Sequence, residues 1–357
     1  MQGGIFLKRN IKAAFQIAAV FIGTIVGAGL ASGQEIRQFF TEFGYLGFTG
    51  ILICCLIYIV MSYIIINLSL KFNLKSYNEL INLVIRPKIF AKFTEGITSL
   101  FLISGAAIIL AGSGSLIHQY FGLSKWVGIL IMVFISLFVL LRDTKGLIEV
   151  NSFIVPSLII VLLTVFILYI SFYKDVVSWS YIKTIPQYKN SWFISCLLYS
   201  GFNILGCSGV LVPLSGELKN KKSLIGGVVL GALVLTALSI IINLLLLLNI
   251  PYIFKYEIPL LYIANRFGNL IQIMLLVIIW LEMFSTEVSD VYSVGKAVSQ
   301  VFNISYKKAV ILIILIALPI SQIGFVKLIN YIYPAFGFIS LIFMLECVYF
   351  YVKLRLK

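Results

Sequence analysis

The chain is patterned as long apolar runs separated by short polar segments. Residues 154–169 and 224–248 are typical of these runs, whose length of about twenty residues suits a helix that crosses a bilayer. Strands of a membrane barrel instead alternate apolar and polar residues over about ten positions, so continuous runs favour helices. The pattern predicts ten membrane-spanning helices, at residues 11–40, 46–70, 92–118, 124–141, 148–172, 191–216, 223–249, 268–296, 308–324 and 329–352.

The composition of the chain excludes an ordinary soluble domain. Of its 357 residues, 61% are hydrophobic and only 11% are charged. A soluble domain of this length could not cover its surface with so few polar groups. Lipid must therefore surround most of the chain, and lipid admits only helices or closed barrels. The sequence predicts an all-α polytopic membrane protein, folded as a single membrane domain over residues 1–357 and embedded in the lipid bilayer.

The basic residues are distributed unevenly between the two sides of this ten-span arrangement. The formal net charge is +14, which by itself would also suit a nucleic-acid-binding protein. However, 19 of the 27 lysines and arginines fall in segments on the same side as the N terminus. Cytoplasmic loops carry such an excess, so we expect both termini in the cytoplasm and the protein in the cell membrane. The charge then requires no nucleic-acid partner.

Residues that usually carry catalysis or bind transition metals are scarce in this sequence. The chain has one histidine, His118, and its five cysteines all lie within apolar runs. We interpret the cysteines as small core residues. Catalysis needs an acid–base pair or an activated nucleophile, and the sequence pattern indicates no such set. We therefore expect neither an enzyme nor an organic cofactor.

Span one contains a glycine-rich segment. Gly23, Gly27, Gly29 and Gly33 fall within eleven residues, with Ser, Gln and Glu beside the last of them. Small residues four apart can let helices pack closely in lipid. Alternatively, the segment unwinds, because each glycine weakens a helix by about 1 kcal/mol relative to alanine. Unwound backbone at membrane depth is tolerated where it lines a cavity, and its freed carbonyls can then coordinate a cation.

Span six repeats this composition in its middle. Gly201 stands between Ser200 and Asn203, and two more glycines follow. Spans one and six are equivalent if the chain consists of two five-helix repeats, residues 11–172 and 191–352, the second inverted because five is odd. Matched interruptions in inverted halves are typical of the binding site of a secondary transporter. We therefore predict a 5+5 inverted repeat in which helices 1 and 6 are both discontinuous.

Span eight carries a polar face. Glu282, Ser285, Thr286, Ser289 and Ser293 share one side of a helix that turns by about 100° per residue. Hydroxyl and carbonyl oxygens are hard ligands suited to a small cation, and a carboxylate near mid-membrane is usually functional. Alternatively, this polar stripe binds only the neighbouring helices.

These segments resemble a known group of membrane proteins. The stretch from Gly23 to Gly29 resembles the unwound first helix of sodium-coupled amino-acid transporters with the leucine-transporter (LeuT) fold. The stretch from Tyr199 to Asn203 resembles the sixth-helix break of the amino-acid–polyamine–organocation (APC) superfamily. At ten spans, the whole chain resembles the YkvI-type membrane proteins, a group classed with the amino-acid permeases.

The resemblance implies two sites and no cofactor beyond a coupling ion, sodium or a proton. Its sodium site would comprise the carbonyls of Gly23, Val26 and Glu282 with the hydroxyls of Ser285 and Thr286. A small-molecule substrate would be bound by Ala28, Gly29, Tyr199, Ser200, Phe202 and Asn203.

Several residues depart from the pattern of these relatives. Leu30 stands where a second sodium site has an asparagine, which disfavours a two-sodium stoichiometry. Proton-coupled relatives place a lysine within span five, and here the first lysine is Lys174 at its outer end, which favours sodium. Asn203 stands where many relatives have an acid, which disfavours a cationic substrate. Glu35 has no counterpart, and Glu287 and Asp290 could be solvated or paired residues near the end of span eight.

Together these features predict a cation-coupled symporter, a secondary transporter that moves an amino acid or similar small organic solute by alternating access. The alternative is a permease-like amino-acid sensor, such as a component of a spore germinant receptor, which binds its ligand without transporting it.

Overall fold

The computed structural model is mostly helical over its described backbone, which comprises residues 2–86, 88–174, 177–256, 258–323 and 325–356. Side chains are described for the same residues except 2–10, 28, 119–120, 325–335 and 338. No strand occurs in these ranges, in agreement with the predicted all-α class.

Ten long helices and four short ones follow one another within these ranges. They are α1 (Gln2–Ala31), α2 (Gln34–Phe39), α3 (Leu46–Phe72), α4 (Tyr77–Val84), α5 (Lys88–Phe121), α6 (Lys125–Leu140), α7 (Thr144–Phe172), α8 (Trp179–Thr184), α9 (Trp192–Leu218), α10 (Lys221–Leu247), α11 (Pro259–Asn265), α12 (Asn269–Val301), α13 (Tyr306–Ser321) and α14 (Phe325–Arg355). Each predicted span overlaps one of the long helices. In the described part of the chain, α3, α5, α7, α9, α10 and α12 are long and apolar enough to cross a membrane, and α1 and α6 contain shorter apolar stretches.

Local sequence explains how several helices begin and end. Ser76 accepts a hydrogen bond from the Glu79 amide, and the Glu79 carboxylate accepts one from the Lys75 amide at 2.7 Å, so a reciprocal cap starts α4. The helices α3 and α9 end at Asn73 (φ 55°) and Lys219 (φ 50°), whose left-handed backbone terminates each helix.

The helix contacts repeat after five long helices. Helix α1 packs along α10 and α7, and α9 packs along α3 and α14. Among the ten long helices, α9 stands five places after α1, and α14 stands five places after α7. Counting five places on from α10, and starting again at α1 after α14, gives α3. The contacts of α9 are therefore those of α1 shifted by five long helices. This is the contact pattern of a 5+5 inverted repeat with α1 and α9 at its centre.

One helix pair and its equivalent under the repeat differ in how closely they pack, and this difference makes room for the central cavity. Helix α1 lies closely against α12, whereas the equivalent pair, α9 and α5, touches only sparsely. The space between α9 and α5 forms part of a central cavity, which residues of both helices line.

The close packing of α1 on α10 depends on Gly227. A Cβ atom there would lie 2.6 Å from the Ile17 Cβ and 2.7 Å from the Ala14 carbonyl, whereas one at Gly226 would meet nothing within 4 Å. We expect Gly227→Ala to lower the free energy of unfolding by about 1–3 kcal/mol, the usual cost of overpacking. Gly226→Ala is the matched control and should be neutral or stabilising by up to about 1 kcal/mol. Equal thermal midpoints for the two variants would contradict this packing.

The predicted break in helix 6 is wrong. Helix α9 runs without interruption from Trp192 to Leu218. Its polar side chains bond to carbonyls of their own helix: the Ser200 hydroxyl donates to Cys196 at 2.8 Å, and the Asn203 amide donates to Tyr199 at 2.9 Å. These two polar groups therefore have partners within α9 and require no unwound backbone beside them.

The glycines of α9 serve close helix packing instead. A Cβ atom at Gly201 would lie 2.8 Å from the Ser340 hydroxyl on α14, and one at Gly209 would lie 2.6 Å from Ser293 on α12. Small residues let helices approach closely in lipid, which was the alternative interpretation of such glycines.

Candidate ion and substrate site

The interruption predicted for helix 1 is present at Gly27. Its backbone angles, φ 43° and ψ −175°, are non-helical within α1. This conformation is essentially restricted to glycine. The helix resumes as far as Ala31, and Gly33, at φ 82°, then starts α2. The break therefore lies where the sequence placed it.

Oxygen atoms from three helices converge on the α1 segment that precedes this break. The Ser285 hydroxyl lies 3.3 Å from the Gly23 carbonyl and 2.7 Å from Oδ1 of Asn151 on α7. The Thr286 hydroxyl lies 3.4 Å from the Gly23 carbonyl and 3.0 Å from the Glu282 carbonyl. Four of the five residues predicted for sodium thus come together, and Asn151 joins them. The fifth, Val26, directly precedes Gly27 and has a fully buried side chain.

This oxygen cluster suits a small hard cation. Its five oxygen atoms share only two hydroxyl protons, because the Asn151 amide group donates elsewhere, to the Leu147 carbonyl at 2.8 Å. Neutral hydroxyl, amide and carbonyl oxygens are ligands that hard cations accept. The cluster also needs Gly23 to be glycine, because a Cβ atom there would overlap Oδ1 of Asn151.

A cavity of about 70 Å³ lies beside the oxygen cluster, and Gly27 and Thr286 border both. A water molecule needs roughly 10–15 Å³ by the same measure, so the cavity could hold several waters or one small solute. Its walls come from α1, α2, α5, α9 and α12. The lining residues are Thr24, Ile25, Gly27, Gly29, Glu35, Phe101, Gly105, Ile108, Ile109, Phe202, Asn203, Gly206, Thr286 and Asp290.

The structure brings some of the predicted substrate residues to this cavity but not all. Gly29, Phe202 and Asn203 line it, and the Tyr199 ring packs edge-on against Phe202 at 5.4 Å. Ser200 does not line it, because its hydroxyl bonds within α9. The predicted contact of the Ala28 side chain lies outside the described residues.

An aromatic cluster adjoins the cavity on the side of α2. Phe39 lies 5.2 Å from Tyr199 and 5.8 Å from Phe202, and Phe40 lies 5.0 Å from Tyr199, measured between ring centroids. These rings join α2 to α9, so movement of either helix would alter this end of the cavity.

On the side of the N terminus, a salt-bridge network connects three segments. The Lys296 amine on α12 lies 3.0 Å from Asp143, between α6 and α7, and 3.0 Å from Glu217 on α9. Lys296 and Glu217 also border a separate cavity of about 450 Å³ at this end of the bundle. Breaking these ion pairs would free helix ends that face this second cavity.

Four acidic side chains of α2 and α12 are candidate functional groups that the sequence motifs indicated least. Glu35 and Asp290 line the cavity. Glu282 and Glu287 are fully buried, and their carboxylate oxygens have no hydrogen-bond partner among the described residues. Asp290 follows Thr286 by four residues and so shares its helix face, a signal already present in the sequence. Phe101 and Gly105 of α5 also line the cavity, but no sequence pattern indicates that they do.

No family model matches the chain, but solved structures share its fold. The structure of MhsT in complex with L-phenylalanine aligns with a TM-score of 0.66 at 15% identity, over 94% of this chain and 86% of MhsT. A substrate-bound, Na⁺-coupled sialic acid symporter aligns with a TM-score of 0.64 at 14% identity, over 93% and 78%. The manganese transporter of Eremococcus coleocola aligns with a TM-score of 0.63 at 15% identity, over 95% and 77%.

The fold and the interrupted first helix define a polytopic membrane protein with the LeuT fold. The chain is 31% identical to the membrane protein YkvI of Bacillus subtilis (strain 168) over 342 residues, 95% of this chain and 96% of YkvI. It is 25% identical to the YyaD protein of the same strain over 341 residues, 95% and 97% of the two chains. The chain belongs to the YkvI family of membrane proteins.

Proposed function

We propose that this protein is a sodium-coupled secondary transporter of an amino acid or a similar small organic solute, working by alternating access. The observation that carries the proposal is the shared boundary of the oxygen cluster and the cavity. Thr286 belongs to both and Gly27 lies between them, so an ion in the cluster and a solute in the cavity would stabilise the same arrangement of α1 and α12.

Coupling follows from the three helices that the ion would join. A sodium ion held by Gly23, Ser285 and Asn151 would tie α1 to α12 and α7. A ligand shifts a conformational equilibrium only by its differential affinity for the two states. A movement of α1 away from α12 would separate Gly23 from Ser285 and remove that affinity, so the ion would favour the state in which solute also binds.

The structural neighbours support this class of function. They include a Na⁺-coupled symporter and a protein bound to L-phenylalanine, although identities of 14–15% carry only the fold. We further propose that the chain belongs to the APC superfamily and its amino-acid permeases, as the resemblance of its sequence implies. Protons are the alternative coupling ion, for which the buried Glu282 and Glu287 carboxyls are the candidate carriers.

The orientation and the repeat boundaries are part of the proposal. The protein would lie in the cell membrane with both termini in the cytoplasm, as the excess of basic residues indicates. The repeats would comprise residues 11–172 and 191–352. The salt-bridge network of Lys296 would then close the cytoplasmic side, and the aromatic cluster of Phe39, Phe40, Tyr199 and Phe202 would close the outer side.

Uptake by proteoliposomes tests the proposal. Purified protein is reconstituted, and radiolabelled amino acids and amines are presented under an inward sodium gradient, a proton gradient or neither. We expect accumulation that the sodium gradient drives and that collapses when the gradient is dissipated. Accumulation under the proton gradient alone would show that protons, and not sodium ions, are the coupling ions. Saturable binding without flux under every gradient would contradict transport and favour the sensor.

A further inference from the structure

We propose that the cavity recognises a positively charged group of its solute, and that Glu35 and Asp290 are the residues that bind it. The solute class is then a small organic amine, in its protonated form. This inference rests on the proposed function and narrows its substrate.

Glu35 presents a carboxyl group to the cavity from α2. Its side chain is only 9% exposed, and its Oε2 atom is buried without a hydrogen-bond partner among the described residues. The Tyr199 hydroxyl lies beside the carboxyl group. A Cβ atom at Gly29 would overlap this carboxyl, so the glycine of α1 is what leaves room for it. The carboxyl group is therefore built into the cavity.

Asp290 presents a second carboxylate from α12, one helical turn beyond Thr286. Glycine again makes the space, because a Cβ atom at Gly105 on α5 would overlap Oδ2 of Asp290. Two glycines on different helices thus leave room for two acidic side chains of one cavity. The second carboxyl group gives the cavity an acidic side chain on a different helix.

The lining holds no compensating cation within the described residues: no lysine, arginine or histidine borders the cavity. The basic residues nearest in sequence are engaged elsewhere. Arg37 lies 3.8 Å from Glu42 and over the Phe254 ring, and Lys296 pairs with Asp143 and Glu217. Carboxylates at membrane depth are costly unless a cation or a proton compensates them. A cationic solute supplies that compensation, and an anionic solute would be repelled.

The chemistry of the walls favours an organic cation over a bare metal ion. In the described part of the chain, no three His, Cys, Asp or Glu side chains converge as a metal site requires. Phe101 and Phe202 line the same cavity, and aromatic rings bind ammonium groups through their faces and alkyl groups by apolar contact. The cavity of about 70 Å³ limits the solute to a short body.

This inference reverses an expectation drawn from the sequence. The expectation was that Asn203, which stands in place of an acid, disfavours a cationic substrate. That expectation took account of helix 6 alone. In the structure the Asn203 amide donates to the Tyr58 hydroxyl at 3.2 Å and to the Tyr199 carbonyl. The negative charge comes instead from α2 and α12. The Glu35 carboxyl group also lies beside Gly29, where the resemblance placed the substrate. A substrate carboxylate bound there would meet Glu35.

Ligand-dependent thermal stability and calorimetry of the purified full-length protein test the inference, at constant sodium. The cationic probes are methylammonium, putrescine and L-lysine; the comparison probes are L-alanine, L-glutamate and Mn²⁺. We expect at least one cationic probe to bind, and Glu35→Gln or Asp290→Asn to weaken it by on the order of tenfold or more, since each removes a charge at a poorly hydrated site. Glu346→Gln, a carboxylate of α14 outside the cavity lining, is the matched control.

The outcomes separate this inference from the proposed function. The inference is supported if cationic probes bind and if both cavity variants weaken this binding while Glu346→Gln leaves it unchanged. If one cavity variant fails to fold, the other is used for the comparison. No binding by any cationic probe, or equal binding in wild type and variants, overturns it. Binding of Mn²⁺ alone overturns it in favour of a metal ion. Sodium-driven uptake of L-alanine, unaffected by either variant, overturns it while leaving the proposed transport function intact.

Discussion

Replacing Ser285 and Thr286 together with alanine is expected to reduce the response of the protein to sodium strongly. Both hydroxyls lie within 3.4 Å of the Gly23 carbonyl, and they are the groups that link α12 to α1 at the oxygen cluster. Loss of even an outer partner of a metal ion costs about 10–100-fold in affinity, and two direct ligands should cost at least that. A saturating ion, at about 100 times its Kd, stabilises a protein by about 2.7 kcal/mol. At the same sodium concentration that increment should fall to about 1.4 kcal/mol or less.

The measurement is the thermal midpoint with sodium and with potassium, followed by sodium-driven uptake. Ser157→Ala with Thr164→Ala is the matched control. These two hydroxyls lie on an exposed face of α7 and bond only to carbonyls of their own helix, at 3.0 and 2.8 Å. The control should keep the full sodium response. A double variant of Ser285 and Thr286 that retained it would show that sodium binds elsewhere.

Gly27→Ala is expected to stop transport and to destabilise the protein. Alanine rarely adopts φ 43° with ψ −175°, and such strain costs of order 1–3 kcal/mol. The added Cβ would also lie 3.3 Å from the Thr286 hydroxyl oxygen, tighter than an ordinary contact. The chain can relieve both only by moving the break, which displaces the carbonyls of α1 from the ion site. Both the thermal midpoint and the rate of uptake should therefore fall.

Gly96→Ala provides the comparison for this variant. Gly96 lies in α5, and a Cβ atom there would meet nothing within 4 Å. It should raise stability slightly, because alanine favours a helix by about 1 kcal/mol over glycine. A Gly27→Ala protein with wild-type sodium affinity and uptake would contradict the functional importance of the interruption in α1.

The long helices were predictable because the bilayer imposes a local rule. Every backbone group in lipid must bond within its own segment, so a continuous apolar run near Leu224 or Ile154 can only be a helix. The break at Gly27 was predictable for a related reason. Several glycines weaken a helix, and unwound backbone with polar residues beside it is tolerated in a membrane only where it lines a cavity or is buried in protein.

The same reasoning failed for span six because it ignored where polar side chains bond. Ser200 and Asn203 donate to carbonyls of their own helix, and Gly201 and Gly209 accommodate Ser340 and Ser293 from other helices. A glycine that breaks a helix and a glycine that admits a neighbouring side chain look alike in the sequence. Only the packed bundle distinguishes them.

The candidate site was recovered in part. The resemblance brought Gly23, Ser285 and Thr286 to one ion site, as the structure does, but it did not include Asn151. Its Oδ1 atom reaches Ser285 across a separation of more than a hundred residues. Such contacts depend on how α7 is rotated about its axis, which a single sequence does not specify.

By itself the sequence determined a ten-helix membrane protein, an interrupted first helix and a polar face on the eighth span, because each follows from the local chemistry of a helix in lipid. Tertiary structure alone decided that α9 is continuous and that Glu35 and Asp290 face one cavity. The electrostatic character of a cavity is a sum over side chains from separate helices. It exists only once the bundle has been packed, when Gly29 and Gly105 leave room for the two carboxyl groups.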